Sequence, residues 1–193
     1  MTRVRATIGL DIGGTKISGC VVDAGGTILA RGRRDTPAQD PGAILDEAAD
    51  LIRDLSFERE IGAVGVACAA FIDRTASTVL FAPNLAWCDL PIKASLESAL
   101  DLPVTIENDA NAAAWGEFRF GAGVGTADMV LVTVGTGLGG GVVTNGVLLR
   151  GAFGIAAALG HMGVVPGGIR CGCGHRGRWE PSASGADRVR GAL

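Results

Sequence analysis

Three stretches carry residue types and spacings that could do chemistry. In the first, Asn108-Asp109 sits where the β-forming run Val104–Ile106, entered through Pro103, gives way to the Ala-rich, helix-favouring Ala110–Phe118. A carboxylate at that switch has two uses. It can accept backbone N–H bonds from the first helical turn as a plain N-cap, or it can stay ionised at the carboxyl edge of a sheet. The second stretch is Asp11-Ile-Gly-Gly-Thr-Lys16. Gly13 and Gly14 let the backbone approach an anion closely. The Thr15 hydroxyl and successive N–H groups can cradle phosphate oxygens, with Lys16 beside them. Asp11 at the strand end could hold Mg²⁺ through water; an ordinary Gly-Gly hairpin turn explains the same residues. The third stretch, Gly135-Thr136-Gly137 within Gly135–Gly141, is ambiguous in the same way. It is not a Walker A loop, since no Gly-Lys-Ser/Thr follows, and not a dinucleotide fingerprint, since a strand rather than a helix is expected next. Two such turns with Asp109 between them in sequence form a more specific constellation: two phosphate clamps and a carboxylate base, the parts of a phosphoryl-transfer site.

The elements that must position these residues follow from the pattern of apolar side chains. Val4–Ile12, Lys16–Asp23 and Thr27–Arg34 read as strands joined by turns at Gly13-Gly14-Thr15 and Gly25-Gly26. Apolar residues at 44, 45, 48, 51, 52 and 55 have helical spacing within Gly42–Leu55. Ile61–Ala70 is a continuous apolar run and reads as a buried strand. Thr75–Phe81 is a weaker strand candidate, and Pro91–Leu100 reads as a helix with Pro in its first turn. The pattern then restarts: strands are expected over Asp128–Val134, Gly139–Asn145 and Val147–Arg150, and helix from Ala186 onward. Strand, Gly/Thr turn, strand therefore occurs twice, which predicts two related lobes, residues 1–110 and 111–193. Trp87, Trp115 and Trp179 are expected in the core.

Composition narrows the class. Hydrophobic residues make up 48% of the 193, which excludes disorder. The net charge of −3 gives no basis for a nucleic-acid surface, and no apolar run approaches membrane-spanning length. The chain runs from Met1–Arg5 straight into a β pattern, with no secretory leader expected. Of the five cysteines three are isolated and two close together, a usage that suits a reducing cytoplasm better than a disulfide framework.

Asp11–Lys16, Pro83-Asn84-Leu85-Ala86-Trp87, Glu107–Asn111, Gly135–Gly141, Gly160-His161 and Cys171-Gly-Cys-Gly174 together resemble the ROK family of repressors, open reading frames and sugar kinases. The similarity is greatest to its bacterial glucokinases and runs from about residue 6 to residue 190. The resemblance implies an actin-like, ribonuclease-H-like α/β fold in two lobes, the second incomplete, with a hexose in the cleft between them. It also implies ATP with Mg²⁺ as donor and glucose phosphorylated at its 6-hydroxyl. In that pattern Asp109 is the general base, and Asn84, Asn108, His161 and Glu180 contact the sugar. The turns at Asp11–Lys16 and Gly135–Gly137 hold the phosphates. His161, Cys171 and Cys173 match the family's zinc ligands. A homo-oligomer is expected.

The chain departs from that pattern in several places. Ala158 stands where relatives carry a glutamate that binds sugar, a loss worth about 1.5–3 kcal/mol for a charge-assisted bond. Arg178 stands where the third zinc cysteine belongs, and a guanidinium cannot ligate, so His175 or a water is left to substitute unless the loop is metal-free. Ala70 replaces a glycine beside the sugar, and relatives continue well past Leu193. Two rivals follow: a non-catalytic remnant, or a sugar-responsive regulator. The regulator is disfavoured because no helix-turn-helix segment precedes the first strand. A polyphosphate donor or an N-acetylhexosamine acceptor stays open.

Overall fold

The computed structural model describes residues 6–135 and 137–184. The chain divides between Asp109 and Ala110 into two compact units.

The first unit is built on a five-stranded sheet in the order β3-β2-β1-β4-β8. β1 (Ala6–Ile12), β2 (Lys16–Val22) and β3 (Ile28–Asp35) form an antiparallel meander, while β4 (Ile61–Cys68) and β8 (Val104–Asn108) run parallel to β1. Between β3 and β4 lies α1 (Pro41–Ser56), whose Asp40 N-cap accepts from the backbone N–H groups of Gly42 and Ala43. Its buried stripe of Ile44, Ala48, Leu51, Ile52 and Leu55 lies on the sheet. The helix can approach closely because Gly19 and Gly32 stand under it. A Cβ at Gly32 would lie 2.6 Å from Leu51, and one at Gly19 2.8 Å from Leu55.

β5 (Phe71–Ile72), β6 (Val79–Phe81) and β7 (Cys88–Leu90) form a separate three-stranded sheet, followed by α2 (Ile92–Leu100). The sequence signals only part of β6, because strands of two or three residues are too short to show alternation. The loop from Asp73 to Thr78 is held by the Asp73 carboxylate. It accepts from the backbone N–H groups of Thr75, Ser77 and Thr78 at 2.7–3.2 Å and from the Thr75 hydroxyl. Trp87 is fully buried in this unit's core, as expected.

β8 passes without a linker into α3 (Asp109–Phe120), so Asp109 is the first helical residue rather than a cap outside it. In the second unit α3 lies against a three-stranded antiparallel meander, β11-β10-β9, of β9 (Met129–Val134), β10 (Leu138–Thr144) and β11 (Val147–Leu148). Ala110 and Ala114 meet Gly139 and Gly141, where added Cβ atoms would lie 2.9 and 2.4 Å from the alanine methyls. The buried cluster here is small: Ala114, Val143 and Leu148, with Phe118, Met129 and Leu131 against it. Trp115 contradicts the core expectation. It is 36% exposed, stacked on Phe118 at 5.5 Å with the Arg119 guanidinium over its ring, because it faces away from the sheet side of α3. Trp179 is half-buried. After a 3₁₀ turn at Leu159–His161, α4 (Glu180–Ala183) is the last described element, and the helix expected from Ala186 lies outside the described residues.

Candidate active site

In the first unit the carboxyl ends of the parallel strands converge. Register places Ile12 opposite Cys68 and Cys68 opposite Asn108, so Asp11, Cys68 and Asn108-Asp109 share one edge of the sheet. The Asn108 side-chain amide donates to the Asp109 Oδ1 at 2.9 Å and to the Ala70 carbonyl at 3.2 Å, a bridge that orients the Asp109 carboxylate. The sheet partly shelters Asp11, and that desolvation, followed by the negative charge of Asp109, raises its carboxyl above the ordinary range. Cys68 between them is pushed up to about 12 by burial and then by the charges of Asp109, Asp11 and Glu107, so its thiol stays neutral. Two carboxylates close enough to raise a pKa make a natural place for a divalent cation or for a proton in transfer.

The first Gly/Thr turn is tightly pinned. Gly13 N–H donates to the Lys16 carbonyl at 3.0 Å, and Thr36 closes the loop from outside: its hydroxyl donates to Gly13 O and its N–H to Thr15 O. Asn84 stands directly against the turn, since a Cβ on Gly14 would lie 3.0 Å from its carbonyl oxygen. Asn84, Gly13, Gly14 and Thr15 are thus brought together. Lys16 behaves differently: its ammonium is engaged by Asp35 at 2.9 Å, across the β2–β3 pairing. An exposed pair of this kind contributes little to stability and leaves the lysine free to exchange partners. Thr36 was not foreseen from sequence; a hydroxyl residue directly after β3, across from the β1–β2 turn, was the available signal.

The second unit holds the other candidates. Gly135 N–H donates to Gly137 O at 2.9 Å, closing the second turn, while Thr136 lies outside the described residues. Glu180 reaches back to this turn, its Oε2 accepting from Leu138 N–H at 3.0 Å and its Oε1 lying 3.9 Å from Cys171 Sγ. Gly160 lets the 3₁₀ turn touch β10, where any Cβ would fall 2.1 Å from the Leu138 carbonyl oxygen. His161 is thereby placed beside the same turn. Ala158, at the start of that 3₁₀ turn, is exposed and offers no polar group.

Side-chain donors of His161, Cys171 and Cys173 lie within 4.8 Å of one another. Tetrahedral zinc with N and S ligands needs edges of roughly 3.5–3.8 Å, and His161 Nδ1 is 3.8 Å from Cys171 Sγ. These three residues fit the metal. Burial raises the Cys171 thiol. For Cys173 burial is outweighed by hydrogen bonds from His175 and Cys171, which bring it down to about 7, close to the thiolate form a metal takes. Arg178 does not contribute a ligand: its Nη1 donates to the His161 carbonyl and its buried Nε has no partner among the described residues.

The ROK family model matches residues 7–189. The chain belongs to the ROK family. It is 50% identical over 184 residues to a glucokinase of Streptomyces coelicolor, covering 95% of this chain and 58% of that protein. A ROK family glucokinase from Streptomyces griseus, solved in complex with glucose and AMPPNP, superposes with a TM-score of 0.88 at 49% identity, over 96% of this chain and 59% of that one. The ROK hexokinase from Thermus thermophilus gives 0.86 at 37% identity, over 97% and 63%. The fold is therefore the actin-like α/β fold of the ROK kinases, and this chain spans between about half and two thirds of these relatives' length. No described helix is long and apolar enough to cross a membrane.

Proposed function

We propose that this chain carries the catalytic carboxylate and both phosphate turns of an ATP-dependent glucokinase that phosphorylates the 6-hydroxyl of glucose. One observation carries the proposal: Asp109, oriented by Asn108 at the head of α3, shares the carboxyl edge of the sheet with Asp11. The similarity to a glucokinase solved with glucose and AMPPNP supports the same substrates.

Asp109 accepts the proton of the sugar hydroxyl as its oxygen bonds to the γ-phosphorus and the bond to the departing ADP oxygen breaks. The backbone N–H groups of Gly14 and Thr15, the Thr15 hydroxyl and the second turn at Gly135–Gly137 stabilise the phosphate charge, with Lys16 in reach once it leaves Asp35. Asp11 would hold Mg²⁺, which supplies charge neutralisation on the phosphates. Asn84, Asn108, His161 and Glu180 orient the sugar through its hydroxyls. His161, Cys171 and Cys173 would hold a structural zinc, which would supply a cross-link between the turn at His161 and the loop that precedes α4. Residues 1–110 and 111–193 act as the two lobes, in a cytoplasmic homo-oligomer. Ala158 favours a second reading, a remnant too weak in sugar binding to turn over. The decisive assay is coupled glucose phosphorylation by this chain extended with the Streptomyces coelicolor C-terminal segment, run with ATP and polyphosphate as donors and with N-acetylhexosamines as rival acceptors. No phosphorylation of glucose with any donor would establish the remnant instead.

A further inference from the structure

We infer that His175 is the fourth ligand of the zinc site, making it a Cys₂His₂ centre in which Arg178 has no coordinating role. The inference rests on the proposal that His161, Cys171 and Cys173 hold zinc. A closed structural site needs four donors, and the described residues bring three of them, His161, Cys171 and Cys173, within 4.8 Å of one another, one short of a full set. His175 Nδ1 lies 3.8 Å from Cys173 Sγ, the same spacing as His161 Nδ1 to Cys171 Sγ. Both distances are close to a tetrahedral N–S edge, which Zn–N of about 2.0–2.1 Å and Zn–S of about 2.3 Å set at roughly 3.6 Å. The four donors therefore run His161, Cys171, Cys173, His175, each histidine beside its own cysteine.

The backbone holds His175 in reach. Cys171 N–H donates to the His175 carbonyl at 2.8 Å and Gly174 N–H to the Cys171 carbonyl at 3.0 Å, while Gly174 takes φ +90. This is a tight loop that folds residue 175 back over residue 171, with a glycine where the left-handed turn demands one. The His175 ring is exposed and lies outside the mutually close set of His161, Cys171 and Cys173, so it must swing inward about its own side-chain bonds to complete the site. Arg178, meanwhile, is occupied by the His161 carbonyl, on the backbone side of that residue rather than at its ring. Two thiolates and two neutral imidazoles leave the zinc centre uncharged, which a neighbouring guanidinium tolerates.

The test uses the full chain, stripped of metal and titrated with Co²⁺ and then Zn²⁺ alone. One equivalent of Co²⁺ should produce the intense visible d–d bands of a tetrahedral ion with thiolate charge transfer, displaced by Zn²⁺. His175→Ala should weaken binding by more than about 100-fold, beyond the loss of an outer-shell partner, and shift the spectrum toward a water-bearing site. Adding Arg178→Cys to His175→Ala should restore tight tetrahedral binding through a third thiolate, with stronger charge transfer, and this rescue shows that the loop still folds. Unchanged affinity and spectrum in His175→Ala would overturn the His175 assignment while leaving zinc in place. No metal binding by the unaltered chain would overturn the zinc proposal itself, and the assignment with it.

Discussion

Under the proposed function, Asp109 and Ala158 separate the two things a kinase asks of its polar residues. Asp109 stands at the sheet edge with its carboxylate steered by Asn108, and under the proposed function it takes a proton there, a role that belongs to the transition state. In the extended protein, Asp109→Asn should lower kcat by about 10²–10⁴-fold with little change in glucose KM. An Asp109→Asn variant that keeps most of its kcat removes Asp109 as the base. Ala158 is exposed at the start of the turn that carries His161, and under the proposed function a side chain there holds the sugar rather than activates it. Ala158→Glu should therefore lower KM with less effect on kcat, and equal changes in both would contradict this.

At the scale of elements, two contacts decide local stability. Gly160 allows the 3₁₀ turn to lie on β10, and Gly160→Ala would force a methyl into the Leu138 carbonyl. Overpacking of this kind costs about 1–3 kcal/mol. Thermal melts should show the loss, and an unchanged melting temperature would mean that the turn can move off the strand. The Asp73 loop is the second. Partial burial would raise this carboxyl, but the hydroxyl and backbone donors of Thr75, Ser77 and Thr78 outweigh it and hold it well below the usual value of 3.8. A depressed folded pKa stabilises the fold above about pH 3.8, and that contribution fades as the pH falls below it. Asp73→Asn should cost about 1 kcal/mol in urea melts at pH 7, with the gap to the parent narrowing below pH 3.8. A gap independent of pH would show that the charge is not what the loop needs.

At the scale of the whole molecule, the two units differ in how well their sheets are covered. The first has β1 flanked on both sides, by β2 and by parallel β4. The second repeats the β3-β2-β1 meander as β11-β10-β9, but β9 is an edge among the described strands, and Val130, Val132 and Val134 on one of its faces are 62%, 42% and 65% exposed. An open apolar edge pairs with other chains. Size-exclusion chromatography should show concentration-dependent association with hydrophobic-dye binding, both reduced by Val132→Lys. A monomer that binds no dye would show that the face is protected.

Local chemistry made much of this legible in the sequence. The Gly/Thr turns are marked by their clustered glycines, α1 announces itself by its apolar spacing, and the Pro103–Asp109 switch follows from β-formers yielding to alanines. The residues that match the ROK pattern were likewise visible one by one. Trp115 was not, because an amphipathic position on a short Ala-rich helix does not say which face finds a sheet. The three short strands from Phe71 to Leu90 were not, because two or three residues carry no period. Nor was the ion pair of Lys16 with Asp35, or the seat of Glu180 between the second turn and Cys171. Each joins residues far apart in the chain, and such a distance is set by sheet register and loop closure rather than by any property of the neighbours in sequence.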